Sequence, residues 1–214
     1  MHKVLIVDDH NMLCEGLSRV LAEIEGLEVL ACLASGEEAL AFSRRTPPDV
    51  ILMDVHMPGI GGFGATIEIK RRFPEVQIIA MSGYEDAPYL TKIMEAGASG
   101  YVDKSAPPSE LVDAIHSVLN GQQYIGKHLA QKIALQKITH KGVDVPFERL
   151  ADRELQVAQM IVNCMRNKDI ADKLSISEKT VSTYRKRIFE KLGINSDVEL
   201  TRMAMKYNML GLTG

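Results

Sequence analysis

Val4-Leu5-Ile6-Val7 runs directly into Asp8-Asp9, so four apolar residues are followed at once by two acids. An unbroken, β-branched-rich run of this kind suits a strand buried on both faces of a parallel sheet. The pattern returns as Val29-Leu30-Ala31-Cys32-Leu33, Val50-Ile51-Leu52-Met53 and Val76-Gln77-Ile78-Ile79-Ala80-Met81, and in shorter form as Gly100-Tyr101-Val102. Between these runs apolar residues recur at spacings of three and four, as in Leu13, Leu17, Val20, Leu21 and Ile24. Residues 36–45, 62–73, 87–96 and 110–119 repeat that helical spacing. Five strand–helix units predict an α/β domain, a doubly wound five-stranded parallel sheet with helices on both faces. Ligands of such sheets bind beyond the carboxyl ends of the strands.

Those ends carry the chemistry. Asp8 and Asp9 follow the first run, Asp54 the third, Ser82 the fourth, and Lys104 comes just after the fifth. Each acid taken alone reads equally well as a turn or helix-cap residue. Brought to one sheet edge, however, clustered carboxylates repel and raise each other's pKa unless a cation neutralises them. Oxygen donors of this type suit Mg²⁺, which takes one or two carboxylates plus a phosphate and keeps several waters. Lys104 is a point charge suited to a phosphoryl oxygen, and Ser82 adds a hydroxyl at the same edge. Four strand ends that each supply a group phosphoryl chemistry needs outweigh the capping explanation.

The 214 residues carry a net charge of −3, with 46% hydrophobic and 25% charged residues. That composition belongs to a globular protein of one large or two small domains and excludes disorder and fibrous repeats. The average conceals a partition. Residues 1–120 hold 9 basic against 18 acidic side chains, whereas residues 121–214 hold 16 against 10. An acidic part joined to a basic part indicates two domains with different partners. Cys14, Cys32 and Cys164 are too few and too scattered for a disulfide framework or a zinc site. No apolar run has the length of a signal core or a membrane span, so the expected setting is cytoplasmic, without membrane contact.

Past Gly121 the strand signal fades. Residues 127–138 read as one helix and 139–146, with Gly142 and Pro146, as a linker. Four helical segments follow, at 152–164, 167–174, 178–192 and 197–207, giving domains at 1–120 and 147–214 with a connecting segment at 121–146. Two of these helices are separated only by Ser175-Ile176-Ser177, with Ser177 as an N-cap: a helix-turn-helix, whose second helix enters the major groove. At about 100° per residue, Val181, Tyr184, Ile188 and Leu192 form one stripe, while Ser182, Thr183, Lys186 and Arg187 point away from it. Lys179, Arg185, Lys186, Arg187 and Lys191 supply cations for phosphates; Ser182, Thr183 and Lys186 could reach base edges of double-stranded DNA. A solvated basic face on an ordinary bundle is the competing explanation of the charge run alone.

Beyond these patterns, residues 1–120 resemble the receiver domain of two-component response regulators. The resemblance rests on Val4–His10, Asp54-Val55-His56-Met57-Pro58 with Gly61-Gly62, Met81-Ser82-Gly83, and Gly97–Lys104. It implies a flavodoxin-like fold in which Asp54 accepts a phosphoryl group from a sensor histidine kinase. Asp8 and Asp9 would organise Mg²⁺ with the backbone carbonyl of His56, Ser82 and Lys104 would bind phosphoryl oxygens, and Tyr101 would change rotamer on activation. Residues 147–208 resemble the LuxR-type DNA-binding domain, through Leu150–Glu154, Asn167–Ala171, Ser177–Val181 and Lys191-Leu192-Gly193. Receiver plus this module is the NarL/FixJ arrangement, and Thr180–Arg185 with Ser196–Thr201 is most similar to its GacA/UvrY-type global regulators. The resemblance implies an all-α four-helix module, base contacts from Ser182, Thr183 and Lys186, a homodimer formed through the last helix, and a transcription factor rather than an enzyme. Three residues depart from the pattern: Ser105 after Lys104, where many receivers have proline, Gly64 inside a helix, and Cys164 where glycine is usual. The alternatives are a phosphatase using Asp54 as nucleophile, disfavoured by His56 where a general acid is needed, and a basic module that binds protein or RNA.

Overall fold

The computed structural model describes residues 1–83, 87–131, 134 and 146–207. Six parallel strands form one sheet in the order β2-β1-β3-β4-β5-β6. They are β1 (His2–Val7), β2 (Leu27–Leu33), β3 (Val50–Asp54), β4 (Gln77–Ser82), β5 (Gly100–Asp103) and β6 (Tyr124–Ile125). The sequence predicts the first five. The sixth is only two residues long, too short to show a period, and is added beside Gly100 and Tyr101 of β5. The helices α1 (Asn11–Ala22), α2 (Gly36–Ser43), α3 (Gly61–Arg72), α4 (Ala87–Glu95) and α5 (Pro108–Leu119) complete the α/β part.

Strand alternation divides the core into two layers, because successive side chains point to opposite faces. Val4, Ile6, Val50, Leu52, Ile79 and Val102 pack with α1 and α5, through Cys14, Leu21, Leu111 and Ile115. Leu5, Val7, Ile51, Met53, Ile78 and Ala80 pack on the other face, with Ala39, Phe63, Ile69 and Ile93 of α2, α3 and α4. Both faces are therefore dry, which is why these strands read as continuous apolar runs.

A 3₁₀ turn (Pro146–Arg149) leads into α6 (Asp152–Val162), α7 (Asn167–Leu174), α8 (Glu178–Leu192) and α9 (Asp197–Lys206). Ser177 caps α8 by accepting from the Thr180 N–H at 3.1 Å, and Ser196 caps α9 by accepting from Glu199 at 3.2 Å. Val181, Ile188 and Leu192 are buried, as their spacing predicts, against Leu155, Ile161, Ile170 and Leu200. Cys164, just past α6, lies at φ +58°. Left-handed backbone favours glycine, so the departure is a mildly strained helix end in an intact module. Of the helix expected over 127–138, half lies outside the described residues, as does the linker over 139–145.

Candidate functional site

The acidic pocket forms where the sequence places it, at the carboxyl ends of β1 and β3, flanked by β4 and β5. The Asp8 and Asp54 side chains are 0% and 1% exposed, and Lys104 reaches between them. Its Nζ lies 2.7 Å from Asp8 Oδ2 and 2.8 Å from Asp54 Oδ2. The backbone N–H of His56 donates to Asp54 Oδ1 at 2.9 Å, and that of His10 to Asp8 Oδ1 at 2.9 Å. Burial pushes Asp54 up to about 6, with repulsion from Asp8 adding to it; Lys104 and the His56 N–H only partly offset this. Burial acts against the Lys104 charge, yet Asp54 and Asp8 outweigh it and hold its pKa above the ordinary lysine value.

One ammonium cannot neutralise three clustered carboxylates. Asp8, Asp9, His10 and Asp54 offer donor atoms that all lie within 4.8 Å of one another. Hard oxygens in a partly dry pocket with surplus negative charge fit a divalent cation. Ser82 is buried at the end of β4, and its carbonyl accepts from the Lys104 N–H at 2.7 Å, so both residues hang on one backbone bridge. Tyr101 is 1% exposed and sits in the core layer facing α3 and α4, a few residues before Lys104.

The loop from Asp54 to α3 is held close to the strand. A Cβ on Gly62 would lie 1.9 Å from the Asp54 carbonyl oxygen, so only glycine lets the chain turn there. The same loop meets the helical module. A Cβ on Gly64 would lie 2.3 Å from Gln156 Nε2 of α6, and the Lys173 ammonium of α7 pairs with Glu37 of α2. Glu37 Oε1 also accepts from the Ile60 N–H at 3.3 Å. Phe147 and Leu150 join the apolar layer that contains Ile60 and Leu90. Gly64, a costly helix residue by sequence, is thus a notch for a neighbouring helix. No periodicity could have revealed this, because it is a contact over a long sequence separation.

The basic face of α8 remains open. Lys179, Ser182, Thr183, Lys186 and Arg187 are all exposed. Their hydroxyls fold back on the helix, Ser182 onto the Glu178 carbonyl at 3.0 Å and Thr183 onto Lys179 at 2.9 Å. An open groove of about 600 Å³ runs beside them, lined by Ser182, Arg185, Lys186, Phe189 and Asn195. Lys186 faces Glu190 at 3.8 Å on the exposed surface, and the other two cations are engaged by acids of neighbouring helices. Arg185 pairs with Asp197, and Lys191 Nζ lies 2.5 Å from Glu154, a buried acid that also accepts from the Ala151 N–H at 2.9 Å. Burial raises the Glu154 pKa, but Lys191 and that N–H outweigh it and hold it below the usual range.

Residues 4–116 match the response regulator receiver domain, and residues 148–204 match the bacterial regulatory proteins of the luxR family. The chain belongs to the response regulators. This response regulator is 47% identical over 210 residues to response regulator GacA of Pseudomonas aeruginosa, covering 98% of both chains. It is 43% identical over 209 residues to response regulator UvrY of Escherichia coli strain K12, covering 98% of this chain and 96% of that one. Among solved structures, the RcsB response regulator of Salmonella typhimurium aligns at a TM-score of 0.73 and 25% identity, over 96% of this chain and 98% of that one. RcsB of Salmonella enterica serovar Typhimurium, bound to promoter rprA in the presence of the phosphomimetic BeF3⁻, aligns at 0.72 and 25%, over 96% and 99%. Among the described residues of this response regulator, no helix is long and apolar enough to cross a membrane.

Proposed function

We propose that this response regulator accepts one phosphoryl group on Asp54 from a sensor histidine kinase and then binds an operator in double-stranded DNA as a cytoplasmic transcription factor. The functional units are a receiver at 1–120, a connecting segment at 121–146 and a DNA-binding module at 147–214. The observation that carries the reading is Asp54 itself: a buried carboxylate with a raised pKa, held between a lysine and a second buried acid at a strand end. Asp8, Asp9, Asp54 and the His56 carbonyl would hold Mg²⁺, which supplies charge neutralisation for the incoming phosphoryl oxygens. The His56 N–H fixes the attacking carboxylate by its Oδ1. Attack forms the O–P bond as the donor's N–P bond breaks, and Lys104 moves onto a phosphoryl oxygen with Ser82 beside it. Tyr101, next to that backbone bridge, would follow by changing rotamer. The receiver turns over only its own phosphoryl group, and so acts as a switch rather than an enzyme.

Docking through Gly64, Gln156, Glu37 and Lys173 leaves the α8 face exposed, so the docked receiver does not cover the groove-reading residues. Phosphorylation would instead loosen this docking and free two modules to pair on two half-sites one helical turn apart. Exposed Val198 and Met205 on α9 support pairing through that helix as a homodimer. The phosphoryl half of the reading is tested by intact-mass spectrometry after incubation with a small phosphodonor and Mg²⁺. One phosphoryl group is expected on the wild type and none on Asp54→Ala; equal labelling of both would overturn the assignment.

A further inference from the structure

We propose that Asp103 and Ser105 form a clamp that aims Lys104 at the phosphoryl group, which makes both of them positioning residues for the chemistry at Asp54. The inference rests on Lys104 being the cation that meets the phosphoryl oxygens. Asp103 is the last residue of β5 and Ser105 follows Lys104, so the pair brackets the lysine. Asp103 Oδ1 accepts from the Ser105 N–H at 2.7 Å and from the Ser105 hydroxyl at 2.6 Å. Both bonds are short, as expected of a charged carboxylate acceptor, and such bonds are roughly twice as strong as neutral ones. The Ala106 N–H closes the turn onto the Asp103 carbonyl at 3.0 Å.

Lys104 is held from the other side as well. Its N–H donates to the Ser82 carbonyl of β4 at 2.7 Å, and Asp103 pairs with Ser82 in the sheet register. The Lys104 backbone is thus fixed to β4 on one side and to its own flanking turn on the other. Only the side chain keeps its freedom, and from that anchor Nζ reaches Asp8 at 2.7 Å and Asp54 at 2.8 Å. A long, flexible lysine aims its charge only as well as its Cα is held, so the clamp governs where the ammonium arrives. Phosphoryl transfer depends on such positioning, and a misplacement of about 1 Å can cost about a hundredfold in rate. A proline at 105 could make neither bond, so the departure from the receiver pattern at Ser105 carries its own restraint.

The test uses the full chain, acetyl phosphate as phosphodonor and Mg²⁺, with the rate of Asp54 labelling read by intact mass. Asp103→Ala, which removes both bonds, is expected to slow labelling about tenfold, the effect of a displacement of a fraction of an ångström. Ser105→Ala, which removes only the hydroxyl's bond, should slow it about threefold, and Ser105→Thr should keep the wild-type rate. Asp103→Asn retains the accepting oxygen without the charge and should stay within about threefold of wild type. In Lys104→Met, itself slow, Asp103→Ala should add less than about twofold, because the clamp has no charge left to aim. Asp103→Ala and Ser105→Ala chains labelled at the wild-type rate, or a slowing by Asp103→Ala that persists in full in Lys104→Met, would overturn the clamp. Asp103→Asn as slow as Asp103→Ala would assign the effect to charge and overturn it too. The reading of Lys104 beneath it fails separately, and takes the clamp with it, if Lys104→Met is labelled as fast as wild type.

Discussion

Replacing Gly64 by alanine separates what a helix prefers from what the two halves of the molecule need. In the middle of α3 alanine is favoured over glycine by about 1 kcal/mol, a gain shared by docked and undocked chains that cancels from the docking equilibrium. The new methyl, however, would lie 2.3 Å from Gln156 Nε2, 3.2 Å from Gln156 Cδ and 3.2 Å from Ile60 Cβ. Non-bonded heavy atoms need about 3.5–4.0 Å, so Gln156 has to move by more than an ångström. It cannot do so freely: it is 1% exposed, and its Oε1 accepts from Arg153 at 2.7 Å. Overpacking of this kind costs about 1–3 kcal/mol, all of it charged to the docked state. The docked population should fall by a factor of roughly 5 to 150. Small-angle X-ray scattering of the unphosphorylated chain should report a larger radius of gyration for Gly64→Ala. Adding Gln156→Ala removes the obstructing amide and should restore the compact form, a non-additivity expected of residues in contact. A Gly64→Ala chain as compact as wild type, or a double variant that stays expanded, would refute the notch.

Three further outcomes follow from the same geometry. Cys164→Gly should raise stability to denaturant by about 1 kcal/mol, because it relieves a left-handed non-glycine residue at the end of α6; an unchanged or lower midpoint would count against strain there. Asp54 titrates near 6 in the fold against an ordinary 3.8, so the folded state holds the extra proton and stability falls as pH rises from about 4 through 6. A divalent cation should therefore raise the melting temperature most above pH 6 and progressively less below it, measured by calorimetry with and without Mg²⁺. Lys186→Ala and Arg187→Ala should each weaken duplex binding and flatten its dependence on log salt by about one unit, whereas Lys191→Ala, paired with Glu154, should chiefly lower stability.

Much of this molecule is legible in one sequence, for identifiable reasons. The strands β1, β3, β4 and β5 are dry on both faces over most of their length, so burial wrote itself into the sequence as runs such as Val4–Val7 and Val50–Met53, while β2 at the sheet edge is only half-buried. Parallel topology then carried Asp8, Asp54, Ser82 and Lys104 to one edge. The α8 stripe was readable because Val181, Ile188 and Leu192 share one face at helical spacing. What escaped is non-local or too short to have a period. The strand β6 has two residues; the Glu37–Lys173 pair, the Gly64–Gln156 contact and the Lys191–Glu154 pair join distant segments, and the Arg185–Asp197 pair joins two helices. Ser105 was visible as a departure from the receiver pattern, but only coordinates place its N–H and hydroxyl on Asp103.

The central claim is that chemistry at Asp54 controls what α8 does on DNA. It is tested most directly by footprinting on a duplex selected from a random pool, comparing wild type with Asp54→Ala, each with and without a small phosphodonor and Mg²⁺. Protection by the wild type should change on adding the phosphodonor, while that of Asp54→Ala should not. A phosphodonor response that persists in Asp54→Ala, or a wild-type footprint indifferent to phosphorylation, would contradict it.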